Sequence, residues 1–185
     1  MNANIAMQKT LLSFLLCFVL INTSAQKHGK VTIYFLTQYN KTIYDRTIGN
    51  NPSGVGLALQ SFLITRTRFQ PTAELTGDIY LGNDKVLRLN PDGSIPAEDN
   101  DVRSMVNLFA GVSFNPATNI YLMLTTGPSF IGGQAKLGIK PSFGFHFSKS
   151  KKWTGKISYI NIFNRQRTAK DDFGSLSVAI GIKLF

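Results

Sequence analysis

Two pairs of charged residues in this chain have a spacing that chemistry could use. Glu74 and Asp78 stand four residues apart, and so do Lys136 and Lys140. In an extended chain every second residue points the same way, so each pair presents both charges on one face. Two carboxylates opposite two ammonium groups could relay protons or ions, or could neutralise one another where they are buried. His146-Phe147-Ser148 is a second candidate, a base and a hydroxyl two residues apart. A nucleophilic serine needs such a base and a third group to orient it. The third is the acidic run of Asp84, Asp92, Glu98, Asp99 and Asp101. Clustered carboxylates can hold Ca2+, but Asp92-Gly93-Ser94-Ile95-Pro96 lacks the alternating ligands of a calcium loop, and a solvated loop is the plainer reading. His28 and His146 are too far apart in sequence to suggest a metal site, and no cofactor or metal is expected.

These residues belong to a chain that reads as exported. Lys9 precedes an apolar run from Leu11 to Ile21, and Asn22-Thr23-Ser24-Ala25 follows, with small residues at the third and first places before Gln26. That is the three-part pattern of a secretory signal peptide, with cleavage expected after Ala25. The run is shorter than the roughly 20 residues of a spanning helix, which argues against a retained anchor. Expected organisation is therefore a signal peptide over residues 1–25 and one barrel domain over 26–185. Cys17, the sole cysteine, departs with the signal; Leu15 and Leu16 before it do not suit a lipidation site. Without it, disulfides, thiolate metal sites and cysteine nucleophiles are excluded. The formal charge of +10 falls by one with Lys9. Such a balance suits acidic partners such as nucleic acid, anionic lipid headgroups or lipopolysaccharide phosphates, and export argues against nucleic acid. The basic residues are scattered, so solubility and solvated strand ends are the plainer reading.

No stretch after Gln26 repeats apolar residues at helical spacing. Eight segments rich in aromatic and β-branched residues alternate instead, at about 30–40, 54–64, 69–82, 104–114, 118–130, 134–147, 152–163 and 172–185. In the third, Phe69, Leu75, Ile79 and Leu81 oppose Thr72, Glu74, Thr76 and Asp78. Val106, Leu108, Ala110, Val112 and Phe114 share one side of the fourth. In the sixth, Leu137, Ile139, Phe143, Phe145 and Phe147 oppose Lys136, Gly138, Lys140, Ser142, Gly144 and His146. In the last, Leu176, Val178, Ile180, Ile182 and Leu184 oppose Ser175, Ser177, Ala179, Gly181 and Lys183. Glycines on the polar face suit the inside of a narrow barrel, which side chains must fill; a solvated surface has no use for them. Long and short connections alternate, as in an even-stranded membrane barrel with both ends on one side. The Gly132-Gly133 turn breaks the rule.

Segments three and six run in opposite directions, so counting residues puts Glu74 near Lys140 and Asp78 near Lys136 across the lumen. A structural plug is the plainer reading of this cluster, because eight strands are too narrow for an open channel. Tyr39, Phe69, Phe147, Trp153, Phe163 and Phe173 fall near segment ends, where rings gather at a membrane–water boundary. The register of segments five and seven stays open, with Asn161 on the lipid face.

The chain ends Ser175-Leu176-Ser177-Val178-Ala179-Ile180-Gly181-Ile182-Lys183-Leu184-Phe185. A final alternating strand closed by phenylalanine, after a signal peptide and seven similar segments, resembles the small eight-stranded outer-membrane β-barrel proteins, the OmpX-like group. Lys183 departs from the pattern, where an outward apolar residue would be usual. The resemblance implies an all-β, antiparallel up-and-down transmembrane barrel in the cell outer membrane. It implies Phe185 as an assembly signal, the barrel assembly machinery and outer-membrane lipid and lipopolysaccharide as partners, and a monomer.

The expected function is non-enzymatic: a packed barrel that supports the envelope or binds at the surface through loops 41–53, 83–103 and 164–171. One alternative is a soluble periplasmic lipocalin-like barrel with a hydrophobic ligand, since Tyr34, Leu36, Phe62, Tyr80, Phe109 and Met123 share the lumenal face. Against it, the early Gly-x-Trp of lipocalins is missing and the sole tryptophan is Trp153. A second alternative is an outer-membrane lipid-modifying hydrolase. The lipid A deacylases carry a His-x-Ser followed by Asn with a downstream Glu, but here Lys149 holds the Asn place and no Glu follows Glu98.

Overall fold

A computed structural model describes residues 31–43, 52–81, 104–147, 150–164 and 172–185. They form β1 (Val31–Thr42), β2 (Ser53–Leu63), β3 (Phe69–Leu81), β4 (Ser104–Ala117), β5 (Ile120–Ile131), β6 (Gln134–His146), β7 (Trp153–Ile162) and β8 (Phe173–Lys183). The strands pair in sequence order, all antiparallel, and β8 pairs with β1 to close a barrel. Closure leaves no free edge, so every strand has its ladder partner on both sides. The eight segments expected from alternation match these strands to within a few residues.

Both ends of the described chain, Val31 and Phe185, lie at one mouth, here called the turn end. There Ile33 donates to the Phe185 carbonyl (3.2 Å) and Leu184 to the Ile33 carbonyl (2.8 Å). The opposite mouth is the loop end, where β5 and β6 turn tightly through Gly132 and Gly133 with φ of +54° and +76°. Two successive left-handed residues match the twist of a two-residue hairpin, and glycine adopts them without a Cβ penalty. This explains why one loop-end connection is short.

Proline marks where the ladders are interrupted. Pro128 in β5 falls in the gap of the β4–β5 register between Asn107↔Ser129 and Ala110↔Thr126. Pro141 in β6 falls in the gap of the β6–β7 register between Ile139↔Asn161 and Ser142↔Ser158. Having no N–H, each proline sits where a ladder hydrogen bond is missing.

The wall is apolar on its outside. Leu57, Ile79, Leu124, Leu137, Ile157 and Val178 all point outward and are 45–61% exposed. Such a belt from every strand exceeds the patch a soluble monomer exposes, and it is the face a barrel turns to lipid. The aromatic expectation requires rings on the exterior, and Tyr39, Phe69, Phe147, Trp153 and Phe163 are exposed there. It fails for Phe173, which is fully buried. The parity of β8 turns Phe173 into the lumen, where its ring meets Tyr80 edge-on with centroids 5.3 Å apart.

The lumen is filled in three layers. Near the turn end Tyr34, Leu36, Phe62, Tyr121 and Met123 cluster, with His146 stacked on Tyr34 at 5.6 Å. Near the loop end Tyr80, Met105, Phe109, Ile160, Ile162 and Phe173 form a second apolar cluster. Between them lie buried polar and charged side chains. Glycine creates the room: a Cβ at Gly144 would coincide with the Tyr121 ring, and one at Gly138 would meet the Phe109 ring at 2.9 Å. Lys183 shares the inward parity of β8 but is exposed at the mouth.

Candidate functional site

The central layer gathers side chains from six strands. Glu74 on β3 receives Lys140 of β6 at Oε1 and Lys156 of β7 at Oε2, each at 2.7 Å. Lys156 also donates to Gln60 Oε1 (2.9 Å), and Gln60 Nε2 lies 3.4 Å from the Met123 sulfur. One carboxylate thus holds two ammonium groups, each on its own oxygen, with all three side chains at 0–2% exposure. Charges that deep require pairing, because removing them from water costs several kcal/mol each.

Asp78 is held differently. Gln38 and Asn40 donate to its Oδ1 at 2.5 and 2.7 Å, and Asn107 donates to Oδ2 at 3.3 Å. Gly56 lies opposite Asp78 in the ladder, and a Cβ there would overlap the carboxylate. Charge-assisted hydrogen bonds from amides can hold a buried carboxylate without a cation in contact. The four fully buried charges of the layer, Glu74, Asp78, Lys140 and Lys156, sum to zero.

The structure therefore brings Glu74 and Lys140 together but not Asp78 and Lys136. Lys136 is half-buried near the loop end, beside the β5–β6 turn, and among the described residues no ion pair joins it to Asp78. Counting residues gave the heights on two strands but not which side chains reach across a barrel. Lys156 is the residue that sequence reasoning missed. Its signal is the run Thr154, Lys156, Ser158 on the parity opposite outward Trp153 and Ile157, obscured further along by Ile160 and Ile162 on the same inward parity. Asn161 does lie on the outward parity and is still buried, because it accepts from Tyr159 (3.2 Å) and donates to Asp172 (3.2 Å).

His146 is the remaining chemical candidate. Its ring is inside the turn-end mouth between Tyr34 and Tyr121, and its Nδ1 has no hydrogen-bond partner among the described residues. Phe147 points outward against Phe145. Ser148, and the acidic run of loop 83–103, lie outside the described residues. No group of metal-ligating side chains occurs among the described residues.

The wall and lumen together define a class: closed eight-stranded barrels with an apolar exterior and a packed polar centre. Solved structures place this chain in the same fold. It is similar to the attachment invasion locus protein Ail of Yersinia pestis in a phospholipid bilayer nanodisc, with a TM-score of 0.52 and 12% identity, over 84% of this chain and 100% of that one. A crystal structure of Ail gives 0.51 at 11% identity, over 84% and 99%. Ail in complex with the heparin analogue sucrose octasulfate gives 0.50 at 11% identity, over 84% and 99%. The chain has the fold of the small eight-stranded outer-membrane β-barrels. No family model and no curated protein matches the sequence.

Proposed function

We propose that this chain is a non-enzymatic outer-membrane barrel, closed to conduction, that works through its wall and outer loops. The observation that carries the reading is the filled lumen. Two apolar clusters cap a central layer whose buried charges are mutually neutralised. An ion entering would have to displace side chains that already satisfy one another. The cluster of Glu74, Asp78, Lys140 and Lys156 acts as a structural plug. The apolar exterior supports lipid rather than water as the surroundings, and weighs against the lipocalin-like alternative. Against the hydrolase, Lys149 stands where the lipid A deacylase pattern has Asn, and no Glu follows Glu98.

Short turns and paired ends support an orientation with the turn end in the periplasm and loops 41–53, 83–103 and 164–171 outside. Phe185, exposed at the end of the chain, serves as the assembly signal, and the barrel acts as a monomer among outer-membrane lipid and lipopolysaccharide. The test is twofold. Carbonate-washed outer membrane should retain the protein, and it should migrate faster on a gel when unboiled. Purified barrel in a planar bilayer should give no steady conductance. Soluble periplasmic protein without a heat-dependent shift, or a stable open channel, would overturn the proposal.

A further inference from the structure

The ten acidic residues are distributed unevenly between the two mouths. Glu74 and Asp78 are inside the lumen, and Asp172 receives Asn161 and the Asn164 amide at the loop end. All others fall in segments 44–51, 82–103 and 165–171, which join strands at that same end. The turn end has no acidic residue in any of its connections. It carries Arg66 and Arg68 between β2 and β3, Lys151 and Lys152 before β7, and Lys183 at the end of β8. Among the described residues none of these five cations has an ion pair.

Their neighbours fix the height at which this charge sits. Arg68 precedes exposed Phe69, Lys152 precedes exposed Trp153, and Lys183 precedes exposed Leu184. Each of these three cations therefore stands at the height of an exposed apolar side chain at the edge of the lipid-facing belt, on the rim of the mouth. Lys152 and Lys183 are brought together by the Lys183 amide, which donates to the Lys152 carbonyl at 2.8 Å. On the wall beyond them runs an apolar groove of about 510 Å3, bordered by Tyr39, Phe145, Phe147, Ile157 and Val178 with Gly155 on its floor. Further round the mouth, Arg68 and Lys151 line a polar recess of about 300 Å3 with Gln70 and Asn115.

We propose that the turn end is a binding surface for anionic phospholipid of the inner leaflet. Lys152 and Lys183 hold the headgroup phosphate, the neighbouring groove takes an acyl chain, and Arg66, Arg68 and Lys151 extend the same surface. Cations at a membrane surface attract anionic lipid, and the attraction is screened within a Debye length of about 10 Å at 0.1 M salt. Cations at the height of the exposed rings Phe69 and Trp153 suit a phospholipid better than the peptidoglycan carboxylates, which lie beyond the membrane edge. This inference rests on the outer-membrane reading above and deepens it.

Trp153, the sole tryptophan, reports on this site directly. The full mature barrel is refolded into vesicles containing either brominated phosphatidylglycerol or brominated phosphatidylcholine at equal mole fraction, and quenching of Trp153 is compared. The expected result is stronger quenching by the phosphatidylglycerol. That preference should shrink by at most about fivefold for each cation removed in Lys152→Gln and Lys183→Gln. Raising salt to about 0.5 M should erase it in the unaltered protein, which needs no variant to fold. Equal quenching by both lipids overturns the proposal and leaves the membrane reading standing. No quenching by either lipid overturns both. Equal quenching together with cation-dependent sedimentation on purified peptidoglycan would assign the surface to that polymer instead.

Discussion

The middle of the lumen and its loop-end half are packed by the same strands to opposite rules. Around Glu74 the filling is ionic, with one carboxylate between two ammonium groups and a glutamine behind one of them. Around Phe173 the filling is apolar, with Tyr80, Met105, Phe109 and two isoleucines, and the Phe173 and Tyr80 rings meet edge-on. The first depends on each member's presence, because any survivor is left charged in a dry place. The second depends on volume. A lumen can therefore be closed equally well by either, but the two should fail differently when cut.

The largest effect is expected at the carboxylate. Glu74→Gln removes one charge and strands two, and should cost about 4 kcal/mol of stability in urea unfolding from detergent or vesicles. Replacing all three charges together, Glu74→Leu with Lys140→Met and Lys156→Met, should restore most of that loss, since a buried ionic cluster can be exchanged for apolar packing at little cost. If the triple variant is less stable than Glu74→Gln alone, the middle is not governed by charge compensation. Next comes Phe173→Ala, which should cost about 3 kcal/mol through lost burial and the cavity left beside Tyr80. Phe173→Leu should recover more than half of it. A loss that does not scale with the volume removed would break the contrast between the two layers.

A smaller effect sharpens the comparison within the polar layer. Asp78→Asn keeps the shape but removes the charge that Gln38, Asn40 and Asn107 serve, and it adds donors where only acceptors fit. About 2 kcal/mol should be lost. A loss matching that of Glu74→Gln would mean that an unseen cation, rather than the three amides, holds Asp78.

Much of this was legible in the chain before any coordinates. A strand's period of two assigns every residue to a face, so Glu74, Asp78 and Lys140 could be placed inside, and Leu137 and Val178 outside, by parity alone. Strand count and order followed from turn signals and the alternation of connection lengths. What parity cannot supply is reach across a closed sheet. Which of Lys136, Lys140 and Lys156 meets Glu74 depends on where three non-adjacent strands stand around the barrel. Lys156 was hidden because apolar Ile160 and Ile162 share its inward face and blur the alternation of β7. Phe173 was misassigned because a ring near a strand end suits either a membrane boundary or a lumenal cap, and only the register of β8 decides.

Lys136 isolates that lesson in one side chain. It shares a strand, a face and a charge with Lys140, four residues away, and by sequence the two are equivalent. In the folded barrel Lys140 is fully buried on Glu74, whereas Lys136 is half-buried near the loop end without Asp78. A long side chain in that position can lay its stem on apolar neighbours and keep its ammonium group in water. Lys136→Met should therefore change stability by less than about 0.5 kcal/mol, while Lys140→Met should cost about 3 kcal/mol by leaving one Glu74 oxygen unpaired. Unfolding both variants side by side tests whether depth in the lumen, rather than lysine on the inward face, is what makes a charge structural. Equal losses would mean that Lys136 has a buried anionic partner after all, and that the charged layer reaches nearer the loop end than the ion pairs of Glu74 define.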